Sequence, residues 1–189
     1  YYFASKMNNQ AVDLDLALDD FVAKVNSDIV GKVVNLASRT AGFINKRFNG
    51  MLADKPNDPA LMEKFAAAMP EIKQAYDSRN YSDAVRAIMS LADEANRYID
   101  AMAPWVIAKQ EGQDEKLQAV CTDGINCFKA LITYLSPILP EVYLKAKELL
   151  NDKLEFNNAA SPLLGHQINK FTPLFTRIDP KDIEAMIED

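Results

Sequence analysis

The chain has 189 residues, enough for one sizeable domain, and its 49% hydrophobic and 25% charged residues are the composition of an ordinary globular protein. A net charge of -6 excludes a protein that grips nucleic acid indiscriminately, because phosphate binding needs a basic surface; it leaves open one that reads a few bases from a locally basic strip. Six glycines beside many Ala, Leu, Glu and Lys favour helix over sheet, and no apolar run approaches the roughly 20 residues that cross a bilayer.

The chain opens on Tyr1-Tyr2-Phe3 without a methionine or a leader pattern, as expected of a piece cut from a longer protein. Tyr1 to Gln10 reads as the tail of a helix with a polar exit. The stretch VDLDLALDDF, Val12 to Phe21, alternates apolar and acidic residues and is predicted as an extended lead-in, with Asp15 or Asp19 capping the helix that follows. From about Leu18 to Asn49, apolar residues such as Val25, Ile29, Val33, Leu36 and Ile44 recur at three- and four-residue spacings. This predicts one long amphipathic helix closed by Asn49-Gly50.

After the loop DKPNDP, Leu61 to Asp77 is a second helix in which Pro70 predicts a kink or a break. Tyr81 to Met102 is a third, with Ala84, Val85, Ile88, Met89, Leu91, Ala92, Ala95 and Ile99 on or beside its buried stripe. Asp114 to Ser136 is a fourth, ended by Pro137 and Pro140, and Glu141 to Leu150 a fifth. Asn151 to Ile178 looks irregular, and Asp179-Pro180 starts a short last helix, Lys181 to Glu188, with Pro180 near its first position. The expected class is all-α: an antiparallel helical bundle with an irregular C-terminal extension.

Enzyme chemistry is hard to build from this inventory. No glycine-rich phosphate loop, GxSxG or HExxH motif is present. Cys121 and Cys127, six apart on one helix at about 100° per residue, point to different sides and read as reduced core thiols. With His166 they make no metal site, and His166 itself reads as a structural histidine in the irregular tail. The acids Asp13, Asp15, Asp19 and Asp20 read as a solvated helix start.

The first long helix offers more. Lys32, Asn35, Arg39 and Lys46 fall within roughly 60° of one another on an ideal helix, opposite most of its apolar stripe. On periodicity alone this is a solvated face of a bundle helix. It is also a basic strip with an amide, and Asn35 with Arg39 makes a hydrogen-bonding pair for a planar ligand. Trp105 is the single tryptophan and follows Pro104 at a break between two helices. On composition it caps a core; as an exposed ring it would stack on an unpaired base.

VVNLASRTAGFINKRF (Val33 to Phe48), ANRYIDAMAPWVIAKQEG (Ala95 to Gly112) and SPLLGHQINKFTPLFTRID (Ser161 to Asp179) together resemble the C-terminal anticodon-binding domain of methionyl-tRNA synthetase, most of all its bacterial long form. The resemblance runs along the whole chain, and NLASR and APW at this separation are its specific motifs. It implies a class I synthetase anticodon-binding helical bundle over residues 13–189, preceded at 1–12 by the tail of the stem-contact region. It further implies that Asn35, Arg39 and Trp105 read the CAU anticodon of tRNA-Met; Lys32, Lys46 and Pro104 are candidates for secondary RNA contacts from their places on the strip and at the helix break. Thr40 stands where many relatives have Asn.

The same resemblance implies a cytoplasmic parent enzyme that joins methionine to tRNA with ATP. Its partners would be the tRNA anticodon loop and its own catalytic domain, with neither membrane nor DNA. ATP, and any zinc, would belong to a catalytic region upstream, leaving this piece with no cofactor and no catalytic residue. Two other classes stay open on the residues alone: the anticodon domain of another class I synthetase, and a helical protein-interaction module in which Trp105 is buried.

Overall fold

The structure, a computed structural model, describes residues 1–10 and 13–187. Residues 18–47 are helical without interruption, in three stretches. These are α1 (Leu18–Val25), a π-helical stretch (Asn26–Val34) and α2 (Asn35–Arg47). A π-helix bonds i→i+5 and so has a wider turn, yet Ile29, Val33 and Val34 stay buried. The apolar spacing therefore still reads as one helix.

Residues 13–17 form the extended lead-in. The expected cap by Asp15 or Asp19 is absent: Ala17 holds the N-cap position and no side chain caps it. Asp19 and Asp20 lie in the first turn, where they suit the positive end of the helix. At the far end Asn49 (φ 50°) and Gly50 (φ 82°) turn the chain away. Only glycine fits at 50, since a Cβ there would stand 2.6 Å from the Ile168 carbonyl oxygen.

The first ten residues are a run of turns rather than a helix tail, with the Ser5 N–H donating to Tyr1 O at 2.9 Å. They lie against the bundle, where the Tyr1 hydroxyl donates to Asp28 at 2.7 Å and the Ser82 N–H to Met7 O at 2.8 Å.

Asp58 caps α3 (Pro59–Asp77) by accepting from the Ala60 N–H at 3.0 Å. Pro70 does not break this helix. It sits on the exposed face beside exposed Ala66, whose carbonyl, deprived of an N–H partner, can be hydrated. All eight residues expected to be buried in α4 (Tyr81–Met102) are buried. Ion pairs fix the directions. Lys32–Asp93 and Arg39–Asp100 share one offset in sequence, so α2 and α4 run parallel. Lys64–Glu94 joins α3 to α4, and Arg47–Asp114 joins the end of α2 to the start of α6 (Asp114–Tyr134), which runs back along it.

α6 is the central post. Every residue from Ala119 to Tyr134 is buried, a pattern no single apolar stripe announces. Gly124 lets α2 and α4 close on it, since a Cβ there would lie 2.5 Å from a methyl of Thr40 and 3.0 Å from Ile99. Its buried polar residues organise the loops. Asp123 accepts from the Asn57 and Asp58 N–H groups at 3.3 and 2.9 Å and from the Tyr98 hydroxyl at 2.5 Å. Asn126 bonds Leu163 in both directions, and the Lys129 ammonium donates to the carbonyls of Asn158 (2.9 Å), Ala159 (3.4 Å) and Ser161 (2.7 Å). These side chains hold the C-terminal wrap, together with backbone bonds such as those from the Gly165 N–H to Ala53 O and from the Asn169 N–H to Leu149 O, at 2.9 and 2.8 Å.

α5 (Pro104–Ile107) is a single turn between α4 and α6. After α6 come α7 (Pro140–Leu150), a 3-10 turn (Phe156–Asn158) and α8 (Pro180–Ile187). Among the described residues there is no strand, only one isolated bridge between Met51 and Gln167, and no helix is long and apolar enough to cross a membrane. The all-α bundle with an irregular extension stands as expected.

Candidate nucleic-acid interface

The site grows from the corner between α4 and α5. Ala103 ends α4 in the left-handed region (φ 45°, ψ 62°) and also caps α5. Pro104, buried, takes the first position of α5, where its fixed φ suits a helix start and its missing N–H costs nothing. The next residue, Trp105, is thereby held with 38% of its surface exposed. The guanidinium of Arg39 lies over the indole, its Cζ 4.6 Å from the ring centroid. One Arg39 nitrogen is 2.5 Å from Asp100 Oδ1, the others remaining for a ligand.

Asn35 sits one turn before Arg39 on α2, half-buried, and its amide makes no hydrogen bond among the described residues. Two turns beyond Arg39, Arg47 fixes the exit of α5 by donating to the Ala108 carbonyl at 2.5 Å while meeting Asp114 at 3.1 Å. The result is an aromatic face, a planar cation and an amide held together on rigid elements. Such a set can stack a base and bond its edge.

The expected basic strip is mostly neutralised. Lys32 lies 2.8 Å from Asp93 and 3.9 Å from Asp28, and Arg39 meets Asp100. Lys46 alone of the strip is exposed with no carboxylate within 4 Å among the described residues. The cause is register: Asp93 and Asp100 are seven apart on α4 and face Lys32 and Arg39, seven apart on the first helix. Those equal spacings were the available signal. Arg47 carried none, because its partners lie 61 and 67 residues away. Pro104 shapes the corner and is itself buried.

The remaining residues fall outside the site. Thr40 is fully buried, donating to Leu36 O at 2.8 Å, and so packs α2 on α6. His166 Nε2 donates to Leu150 O at 2.7 Å. Cys121 and Cys127 are buried and free, and burial pushes the Cys121 thiol up to about 12, which makes it inert. Asp13, Asp15 and Asp19 are exposed, and Asp20 pairs with Lys6 at 2.8 Å. No group of three or more His, Cys, Asp or Glu that could hold a metal occurs among the described residues.

Two family models match the chain, and they divide the site between them. Residues 58–151, with Trp105, match the anticodon-binding domain of tRNA ligase; residues 1–41, with Asn35 and Arg39, match tRNA synthetases class I (M). Three solved structures of methionyl-tRNA synthetase from Mycobacterium tuberculosis share the fold. The apo form is 21% identical with a TM-score of 0.81 over 87% of this chain and 35% of that one. The complex with methionyl-adenylate is 21% identical with a TM-score of 0.79, covering 86% and 34%. A further structure bound by methionyl-adenylate is 20% identical with a TM-score of 0.78, covering 85% and 34%. The chain thus spans about a third of the length of these proteins.

The helical bundle and the family match together make residues 58–151 an anticodon-binding domain of the tRNA-ligase type. Within that class, the segment that carries Asn35 and Arg39, residues 1–41, is similar to tRNA synthetases class I (M).

Proposed function

We propose that this chain reads the CAU anticodon of tRNA-Met for a methionine–tRNA ligase, of which it is the C-terminal part. The observation that carries the reading is the exposed indole of Trp105 under the guanidinium of Arg39, two residues 66 positions apart brought to one corner beside an uncommitted amide at Asn35. An anticodon base stacks on Trp105. Arg39 donates to the O2 and N3 acceptors of cytosine, and the Asn35 amide can both donate and accept at a neighbouring edge. Stacking contributes about 1–3 kcal/mol per base.

Residues 1–12 then close the stem-contact region, and residues 13–189 form the reading domain. The parent enzyme joins methionine to tRNA in the cytoplasm, using ATP, and any zinc, in a catalytic region that this domain accompanies. No residue of this chain takes part in that chemistry.

Trp105 is the sole indole, so its emission tests the proposal directly. It should quench as an RNA hairpin with a CAU loop is titrated in, and respond more weakly to a hairpin with an altered loop. Emission indifferent to both hairpins would refute the role of this residue.

A further inference from the structure

Where α2 ends, the C-terminal wrap closes over it and leaves a groove of about 530 Å³, lined chiefly by Asn45, Lys46, Asn49, Gln167, Asn169 and Lys170. No carboxylate is among the lining residues, in a chain whose net charge is -6. Lys46 and Lys170 are both exposed, and neither has a carboxylate within 4 Å among the described residues. That sets them apart from Lys32 and Arg39 on the same helix, which α4 neutralises.

The walls are built, not loose. Asn45 donates to Asn169 O at 3.1 Å and accepts from the Phe171 N–H at 2.8 Å; the Ile168 N–H donates to Gly50 O at 2.9 Å; the Gln167 amide donates to Asn49 O. These bonds consume most of the amides of the groove and leave the two ammonium groups as its free chemistry. Lys46 lies seven residues past Arg39, on nearly the same face and about 10 Å further along the helix axis. A short strand in contact with Arg39 can reach it.

We propose that this groove is a backbone site for single-stranded RNA, in which Lys46 and Lys170 hold phosphates of the strand whose base lies on Trp105. The proposal rests on the anticodon reading above and extends it. The bases are read at the α4–α5 corner, while the strand is oriented by a second element, the C-terminal wrap, that touches no base. Lys170 is the wrap's contribution.

The test is the salt dependence of hairpin binding. Each phosphate neutralised on a single strand adds about 0.7 to the slope of log affinity against log salt. Lys170→Ala should lower the slope by about 0.7, and Lys46→Ala with Lys170→Ala by about 1.4. Both variants should weaken the CAU hairpin and an altered-loop hairpin by the same factor, and Lys170→Arg should keep the wild-type slope. An unchanged slope, or a loss confined to the CAU hairpin, would overturn the proposal. Displacement of the hairpin by inorganic phosphate beyond that by chloride of equal ionic strength would mark an isolated anion site and overturn it as well.

Trp105 emission is followed in the same titrations. Quenching with an unchanged slope sinks the groove alone; a lowered slope without quenching sinks the Trp105 reading and leaves the groove standing.

Discussion

Replacing Trp105 by alanine mixes two effects, because the ring is neither free nor enclosed. A fully buried indole covers up to about 250 Å², so 38% exposure leaves on the order of 150 Å² covered. At about 25 cal/mol per Å², reduced for a compact unfolded chain, that area stabilises the fold by roughly 2–3 kcal/mol. A binding loss in Trp105→Ala could therefore reflect a loosened corner. Trp105→Leu separates the effects: it keeps most of the covered apolar area, at a stability cost of about 1 kcal/mol, but removes the ring face. Binding should then fall by about 1–3 kcal/mol, some 5- to 150-fold, while Trp105→Phe recovers part of it. Urea unfolding gives the stability, and anisotropy of a labelled hairpin gives the affinity. A leucine variant that binds as tightly as the parent would show that the indole packs the corner and reads nothing.

Asp100→Asn should cost the fold at most about 1 kcal/mol, because the pair with Arg39 is largely exposed on the acid side. By releasing the guanidinium and removing a negative charge beside the strand, it should tighten binding of every hairpin and narrow the gap between CAU and altered loops. Weaker binding would mean that Asp100 aims Arg39 at the RNA instead of competing for it. Ala103→Gly relieves a left-handed residue that costs about 1–2 kcal/mol, offset by about 0.4–1 kcal/mol of extra freedom in the unfolded chain, so the melting temperature should rise slightly; a marked fall would contradict the strain. Asp123→Asn should destabilise by about 1–3 kcal/mol, since both carboxylate oxygens accept from N–H or O–H donors and an amide must turn its own donor on one of them. Desolvation raises the Asp123 pKa above its ordinary 3.8, so this group's share of stability falls as pH rises from 3.8 through the folded value; the asparagine variant should lose that slope in urea titrations between these limits.

The sequence disclosed what is local. The stripe from Ala84 to Ile99 and the breaks at Asn49-Gly50 and Pro104 are written in short spacings, and those helices lie where they were expected. The motifs NLASR and APW located Arg39 and Trp105, and the fold brought them into contact. What stayed hidden depends on neighbours. The π-helical turns keep an ordinary apolar rhythm, Pro70 is tolerated because its face meets solvent, and α6 is buried on all sides, so no stripe marks its Thr122, Asp123, Asn126 and Lys129 as anchors for loops. The pairing of Lys32 and Arg39 with Asp93 and Asp100 arises from helix register, of which the equal seven-residue spacings are the one trace in the sequence, and Lys170 gained meaning only when the wrap laid it beside Lys46.

A four-residue helix has no stability of its own in water, so α5 exists because Pro104 fixes its entry, Arg39 its ring and Arg47 its exit. The ordering of this segment is completed when the chain folds, before any RNA arrives. An arriving loop has no helix to form and only the encounter to accomplish, so association should run at the rate set by diffusion and orientation, about 10⁵–10⁷ M⁻¹s⁻¹, for correct and incorrect anticodons alike. On the proposed reading, discrimination then resides in how long each loop stays: a wrong base would touch a corner already set in shape, find donors it cannot satisfy, and leave.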